Sequence, residues 1–402
     1  MKTTSVDSTE RELHFVILTT KSYAKDYHDI VLPSTSIQIN LSSIIQQKSI
    51  YLCYLYSLNN DYPHYVNSYE ILNYTDNLHH LLIYECANSM TTISSKYFGI
   101  CGSENRHMPM ELYEKCQTRI VLAWGRGGNF QYKYPQHTGL KLKTQTYLLL
   151  EIHYDPFINR QQSGIRFYYS QSKPKYEIGL LTLGTLVNST IYLPPYLDHI
   201  SFRTYCFNDC MQKYLANNQT LNVFRVLLHA HHLSKRIWIK KIEKQGKKSQ
   251  IIIDQNPYHF NKQLTVDISV NLTNNDEIVL TCDYSTKYQT SLTRGGYNTN
   301  DEMCQAFFYY YPKIEQFPLC LSLPIYSELQ DYPKWTKNLS ENIRNRLVNN
   351  KNHLGLCGDN TPKWHTNRQL TTDVNLSFKY KQFNACFYAG IHDKIKLKGK
   401  KR

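Results

Sequence analysis

A succession of short apolar runs with strand periodicity constrains this chain most. IYLCYLY, TRIVLAW, TYLLLEIHY, GIRFYYS, FRVLLHAHH, RIWIKKI, SQIIID, LTVDISV and DEIVLTCDY alternate or run apolar, and Asn, Gly, Lys and Pro turns separate them. Runs of this length bounded by turn residues read as strands. The 34 tyrosines favour the same reading, since aromatic side chains pack well on a pleated surface. Helical pattern is scarce, and Lys337–Asn349 is the best candidate. Many short strands with turn signals predict an all-β fold of antiparallel sandwiches. With 402 residues the chain has room for two or three domains, each with its own core. The polar, Pro-containing stretch Ser170–Tyr176 follows a strand and is the predicted domain boundary. There is no internal repeat of fixed period.

Cysteine usage narrows the compartment. Eleven cysteines fall into two clusters, four in the first third and seven from Cys206 onward, and none forms Cys-x-x-Cys. Zinc ribbons and thioredoxin chemistry are therefore unsupported. The spread suits disulfides in an oxidising compartment. Seven Asn-x-Ser/Thr sequons, at Asn40, Asn73, Asn188, Asn218, Asn271, Asn338 and Asn375, point the same way. The N-terminal MKTTSVDSTERELHFVILTTK has no signal-peptide pattern, and no stretch approaches the length of a membrane span. A net charge of +14 concentrates at Lys235–Lys248 and Lys394–Arg402. With no aromatic-basic RNA motif, zinc finger or phosphate loop beside it, this charge reads as solvated turns and a tail, not a nucleic-acid footprint.

Three histidine positions and one methionine could carry chemistry: His79-His80, His153 in LEIHY, the HAH pair His229 and His231, and Met303 in DEMC. On a strand, residues two apart share a face, so His229 and His231 can reach one metal, while His232 points away. Imidazole suits copper, zinc, iron and nickel alike, and one H-x-H among 16 histidines arises by chance. Met303 tilts the choice, because a thioether is a soft ligand that favours Cu(I). A lone methionine is more often core filler, but a disulfide at Cys304 would fix its backbone. Adjacent residues on a regular strand diverge, so His79 and His80 could share a metal with His153 only where the backbone bends.

The order of motifs is more specific than any one of them. HHLLIYEC, IVLAWGRGG, LEIHYDP, SGIRFYY, TYCFNDC, HAHHLSKR, GGY with DEMC, and YYYP with LC together resemble the copper type II, ascorbate-dependent monooxygenases, from about Tyr51 to Cys357. TYCFNDC and HYDP look more like the dopamine β-hydroxylase branch than the peptide-amidating branch. The resemblance implies two consecutive jelly-roll-like copper domains, 46–172 and 173–365, flanked by an N-terminal segment 1–45 and a basic tail 366–402. It implies two coppers per chain and ascorbate as electron donor. His79, His80 and His153 would hold the first copper, which takes electrons from ascorbate. His229, His231 and Met303 would hold the second, where dioxygen meets a substrate C–H bond, and His229 is counted there as catalytic. Tyr51 matches a position given an active-site role. Spacing is similar in the two halves: 73 residues separate His80 from His153, and 72 separate His231 from Met303.

The implied disulfides are Cys53–Cys101 and Cys86–Cys116 in the first domain, and Cys206–Cys320, Cys210–Cys357 and Cys282–Cys304 in the second, with Cys386 left over. The resemblance also implies a secretory route and an upstream extension carrying a signal peptide and a DOMON-like domain with a partner for Cys386. Leu227 stands where the amidating branch has an Arg that clamps a carboxylate, and Phe307 where that branch has a substrate-contacting Tyr, so peptide amidation is disfavoured. The expected partners are a small aromatic or amine substrate and dioxygen, with no nucleic acid and no membrane span; self-association into a homo-oligomer stays open. A secreted copper-binding protein without turnover is the alternative reading.

Overall fold

A computed structural model of the chain describes residues 28–32, 50–58, 62–72, 78–86, 96–101, 116, 119–144, 146–154, 164–170, 172–187, 190–243, 248–296, 300–324, 332–350, 352–358, 363–369 and 378–379. The rest of the N-terminal segment, the sequons at Asn40, Asn73, Asn188 and Asn375, and Cys386 lie outside the described residues. The architecture is all-β, as the run pattern predicts.

Two sheets make the first sandwich. One runs, in spatial order, Lys96–Ile100, Ile50–Leu58, Thr146–Tyr154, Leu78–Glu85, Ile120–Gly125. The facing sheet is built on His64–Leu72 and Gly164–Ser170, with His28–Leu32 at one edge. Leu81, Ile83, Leu148, Leu150 and Ile152 of the first sheet meet Val66, Leu140, Leu142, Ile165 and Phe167 of the second in one buried cluster. Each such side chain contributes about 2 kcal/mol when removed from water. Cys53–Cys101 and Cys86–Cys116 lie beside a smaller cluster containing Leu55, Tyr84 and Leu149.

The second sandwich packs an eight-stranded sheet against a four-stranded one. Leu221–His229, Gln305–Tyr311 and Gly179–Gly184 are successive neighbours in the larger sheet. The smaller contains Ile200–Cys206, Asp276–Tyr284 and Ser234–Glu243. Val226, Leu228 and Phe308 pack with Ile237, Ile239, Ile278 and Leu280 between the sheets. Cys206–Cys320, Cys210–Cys357 and Cys282–Cys304 are all internal to this half. The larger sheet continues through Lys363–Gln369 to Phe378–Lys379, past the point where the sequence suggests a basic tail. The helix Lys337–Val348 forms where its pattern predicts, started by the Thr336 hydroxyl accepting from Leu339 N at 3.2 Å. The short helix Asn208–Tyr214 has no side-chain cap; the bridge from Cys210 to Cys357 ties it to the sheet.

The chain passes from one sandwich to the other between Glu177 and Gly179. Tyr176 and Glu177 still pair, in parallel, with Thr138 and Gly139, and Gly179 begins the second sandwich. The two halves meet over an apolar seam in which Leu180, Leu227, Phe307 and Tyr309 join the cluster of the first sandwich. Within it the Tyr309 hydroxyl accepts from Ala123 N at 2.7 Å and donates to Ala123 O at 2.8 Å. The buried Arg225 guanidinium lies 3.4 Å from the Tyr132 ring centre and 3.5 Å from Asp267 Oδ1. Arg119 and Glu315 pair across the rim.

Candidate metal centre

Three neighbouring strands bring the first histidine set together. Tyr51 pairs with His153, His153 with His80, and His80 with Gly125, so these residues form one row across the sheet. On a regular strand His79 would face away from that row. The register shifts between Leu78 and His80, a bulge that adds one residue and re-aims the side chain. His79 Nδ1 then lies 3.1 Å from His80 Nδ1, and His153 Nδ1 lies 3.4 Å from His80 Nδ1. All three residues are buried, with one candidate ligand nitrogen from each within 4.8 Å of the others. Burial, reinforced by the neighbouring imidazoles, holds His79, His80 and His153 well below the usual histidine range. They are therefore neutral, the form that binds metal. Tyr51 stacks on His153 with ring centres 4.0 Å apart.

The second set is assembled differently. The strand ends at His229, and His231 follows in irregular chain, yet their rings sit 5.4 Å apart at right angles. His229 Nε2 lies 3.2 Å from Met303 Sδ. Burial pushes His229 down to about 4, against the opposing hydrogen bond that His229 donates to Gln263 Oε1. His231 Nδ1 is held by Asp301 O at 2.8 Å, which leaves Nε2 as its ligand atom. His232 is exposed, and its ring lies 3.9 Å from that of Phe260.

Residues with no distinctive sequence signal hold this second set. The buried Glu302 carboxylate accepts from His231 N at 2.9 Å, Met303 N at 3.3 Å and Leu233 N at 2.6 Å, joining the two segments that carry the donors. Burial raises its pKa to about 8, with the same three N–H groups pulling the other way. The Tyr284 hydroxyl donates to Met303 O at 2.6 Å, and Cys282–Cys304 closes the segment next door. Gln263 reaches His229 at 2.8 Å and His79 at 3.5 Å. The two sets are thus adjacent: the His80 and His229 rings are 5.2 Å apart.

A three-imidazole set beside an imidazole-thioether set has the donor chemistry of a protein that handles both oxidation states of copper. Comparison with known proteins agrees. Residues 35–161 match the copper type II ascorbate-dependent monooxygenase N-terminal domain, and residues 176–333 match the C-terminal domain. The chain belongs to this family. It is 31% identical over 265 residues to DBH-like monooxygenase protein 1 of Homo sapiens, covering 63% of this chain and 42% of that protein. It is 27% identical over 289 residues to dopamine beta-hydroxylase of Bos taurus, covering 69% and 46% respectively. The chain spans a little under half the length of these curated relatives. Members of the family are copper- and ascorbate-dependent oxidoreductases. The neutral, convergent imidazoles of this chain fit such a metal.

Proposed function

We propose that this chain forms the two-domain core of a monooxygenase that hydroxylates a C–H bond of a small aromatic or amine substrate with dioxygen. One oxygen atom enters the C–H bond; the other leaves as water with two protons and two electrons, the electrons coming from ascorbate. The observation that carries this reading is the pairing of two donor sets of different softness in one buried junction. His79, His80 and His153 would hold the copper that receives electrons. His229, His231 and Met303 would hold the copper at which dioxygen and substrate meet. Copper, when bound, supplies the one-electron chemistry; the chain supplies ligand geometry and excludes bulk water.

Tyr51 acts through His153, whose ring it stacks against, so it is a positioning residue. Leu227 and Phe307 pair across strands and are buried in the apolar seam, so neither position supplies a carboxylate clamp. The first domain reaches from the edge strand His28–Leu32 to Glu177 and the second from Gly179 to Phe378–Lys379, wider than the 46–172 and 173–365 that the sequence suggests. Five disulfides and the exposed sequon residues Asn218, Asn271 and Asn338 support folding in the secretory pathway.

The test is to secrete the chain, load it with copper and measure ascorbate-dependent oxygen consumption against a panel of aromatic amines, with isotopic dioxygen to trace the product oxygen. The expected result is two coppers per chain and labelled alcohol. Two coppers with no turnover would leave a copper-binding protein; one copper with all six donors intact would remove one set as a site.

A further inference from the structure

One side chain between the two sets belongs to neither. Gln263 is fully buried at the junction of the sandwiches. Its Oε1 lies 2.8 Å from His229 Nδ1, and its Nε2 donates to Phe260 O at 3.3 Å. The contact with Phe260 O settles which end of the amide is which, because a carbonyl oxygen can only accept. Oε1 therefore accepts from His229, which carries its proton on Nδ1 and turns the lone pair of Nε2 towards Met303 Sδ. The amide nitrogen also lies 3.5 Å from His79 Nε2, in the other sandwich.

The first sandwich makes room for this side chain. A Cβ on Gly125 would stand 2.8 Å from Gln263 Cβ, closer than real Cβ atoms come, and 3.0 Å from Gln263 O. Glycine is required there for the close approach of another segment. Gly125 is also the residue opposite His80, at the end of the row Tyr51, His153, His80. The row that builds the first set thus ends on the side chain that orients the second.

We propose that Gln263, seated on Gly125, is a positioning residue that couples the two donor sets. It selects the tautomer of His229 and holds the second set against the first. This rests on the reading of both sets as metal sites, but the tautomer can be observed without metal. A side chain that only fills the seam would be replaceable by leucine of similar size; an orienting acceptor would not.

The experiment follows the imidazole nitrogens of 15N-histidine-labelled, metal-free full chain, together with copper titration. Wild type should show His229 protonated on Nδ1 at neutral pH. Gln263→Leu should mix the two tautomers and weaken copper binding at the second set by roughly 10- to 100-fold, the usual effect of losing such a supporting hydrogen bond. Gln263→Glu retains an acceptor at His229 and should keep the tautomer. Gly125→Ala, made in the other sandwich, should reproduce Gln263→Leu by displacing the amide. If Gln263→Leu keeps both the wild-type tautomer and the second-set affinity, the proposal is wrong. The same holds if Gly125→Ala lowers thermal stability without altering the His229 signals. Should wild type bind no copper, the metal reading fails, and the metal-free tautomer still decides the role of Gln263.

Discussion

The two donor sets reach similar burial by opposite means. The first takes its geometry from sheet register: neighbouring strands put His153 and His80 side by side, and one bulge turns His79 in. The second has only His229 on a regular strand. His231 and Met303 sit on irregular segments tied together by Glu302, Tyr284 and the Cys282–Cys304 bridge. Backbone ladders hold the first set, so its ligands resist single side-chain changes. The second depends on a few side chains, each able to unmake it. On the proposed function, the set held by register is the electron relay and the set assembled from separate segments is the one that meets oxygen and substrate.

Met303→Ile should show this contrast most strongly. It should remove the copper–sulfur contact from the X-ray absorption spectrum of the reduced protein and abolish turnover, while the first set stays loaded. A wild-type spectrum with only nitrogen and oxygen neighbours would break the comparison at once. Next is the bridge. Cys282→Ser with Cys304→Ser should cost about 3 kcal/mol in denaturant unfolding, given the 22-residue separation, and should weaken copper at the second set alone.

A pH series separates the sets in the metal-free protein. His229 titrates near 6.5 when unfolded and near 4 when folded, so the unfolded state takes up its proton first as pH falls. Stability should therefore drop from about pH 6.5 to about pH 4, by on the order of 3 kcal/mol for this group. His80 and His153 are also depressed, and their loss should extend further into acid. Glu302 works in the opposite sense: its raised pKa means that stability falls as pH rises from about 4.5 to about 8. His229→Gln should take one proton's worth of slope out of the acid limb between pH 6.5 and 4 in urea titrations, leaving the part due to the first set; an unchanged limb would mean that His229 is not the neutral, buried group described.

Glu302→Gln should cost roughly 1 kcal/mol near neutral pH, the scale of a hydrogen bond to the largely protonated carboxyl, and should lower copper affinity at the second set only. Equal loss at both sets in copper titrations would mean that Glu302 supports the whole junction. The smallest effect belongs to Tyr51→Leu, which removes one ring stack worth about 1 kcal/mol and should lower first-set affinity a few-fold. A second-set effect as large would overturn its placement beside His153.

The strand runs, the two cysteine clusters and the ligand-bearing motifs were all legible in the sequence, because alternation, cysteine spacing and residue chemistry are local properties. The motif order went further and carried the family, the copper and the ascorbate. Even Lys337–Val348 announced itself through its periodicity. Other features depended on contacts between distant segments. His79 and His80 converge because of a bulge, and a bulge is a mismatch between two strands, invisible in either one. Asn208–Tyr214 is helical without a cap and held by a disulfide to Cys357, so its own residues give little warning. Glu302, Tyr284 and Gln263 are ordinary residues in one dimension. Their importance comes from burial, which makes every unsatisfied polar atom costly and so forces each one onto the backbone or imidazole that the tertiary structure sets beside it. The sequence alone determined which donors were available; only the packing of one sandwich on the other decided that the two sets would touch.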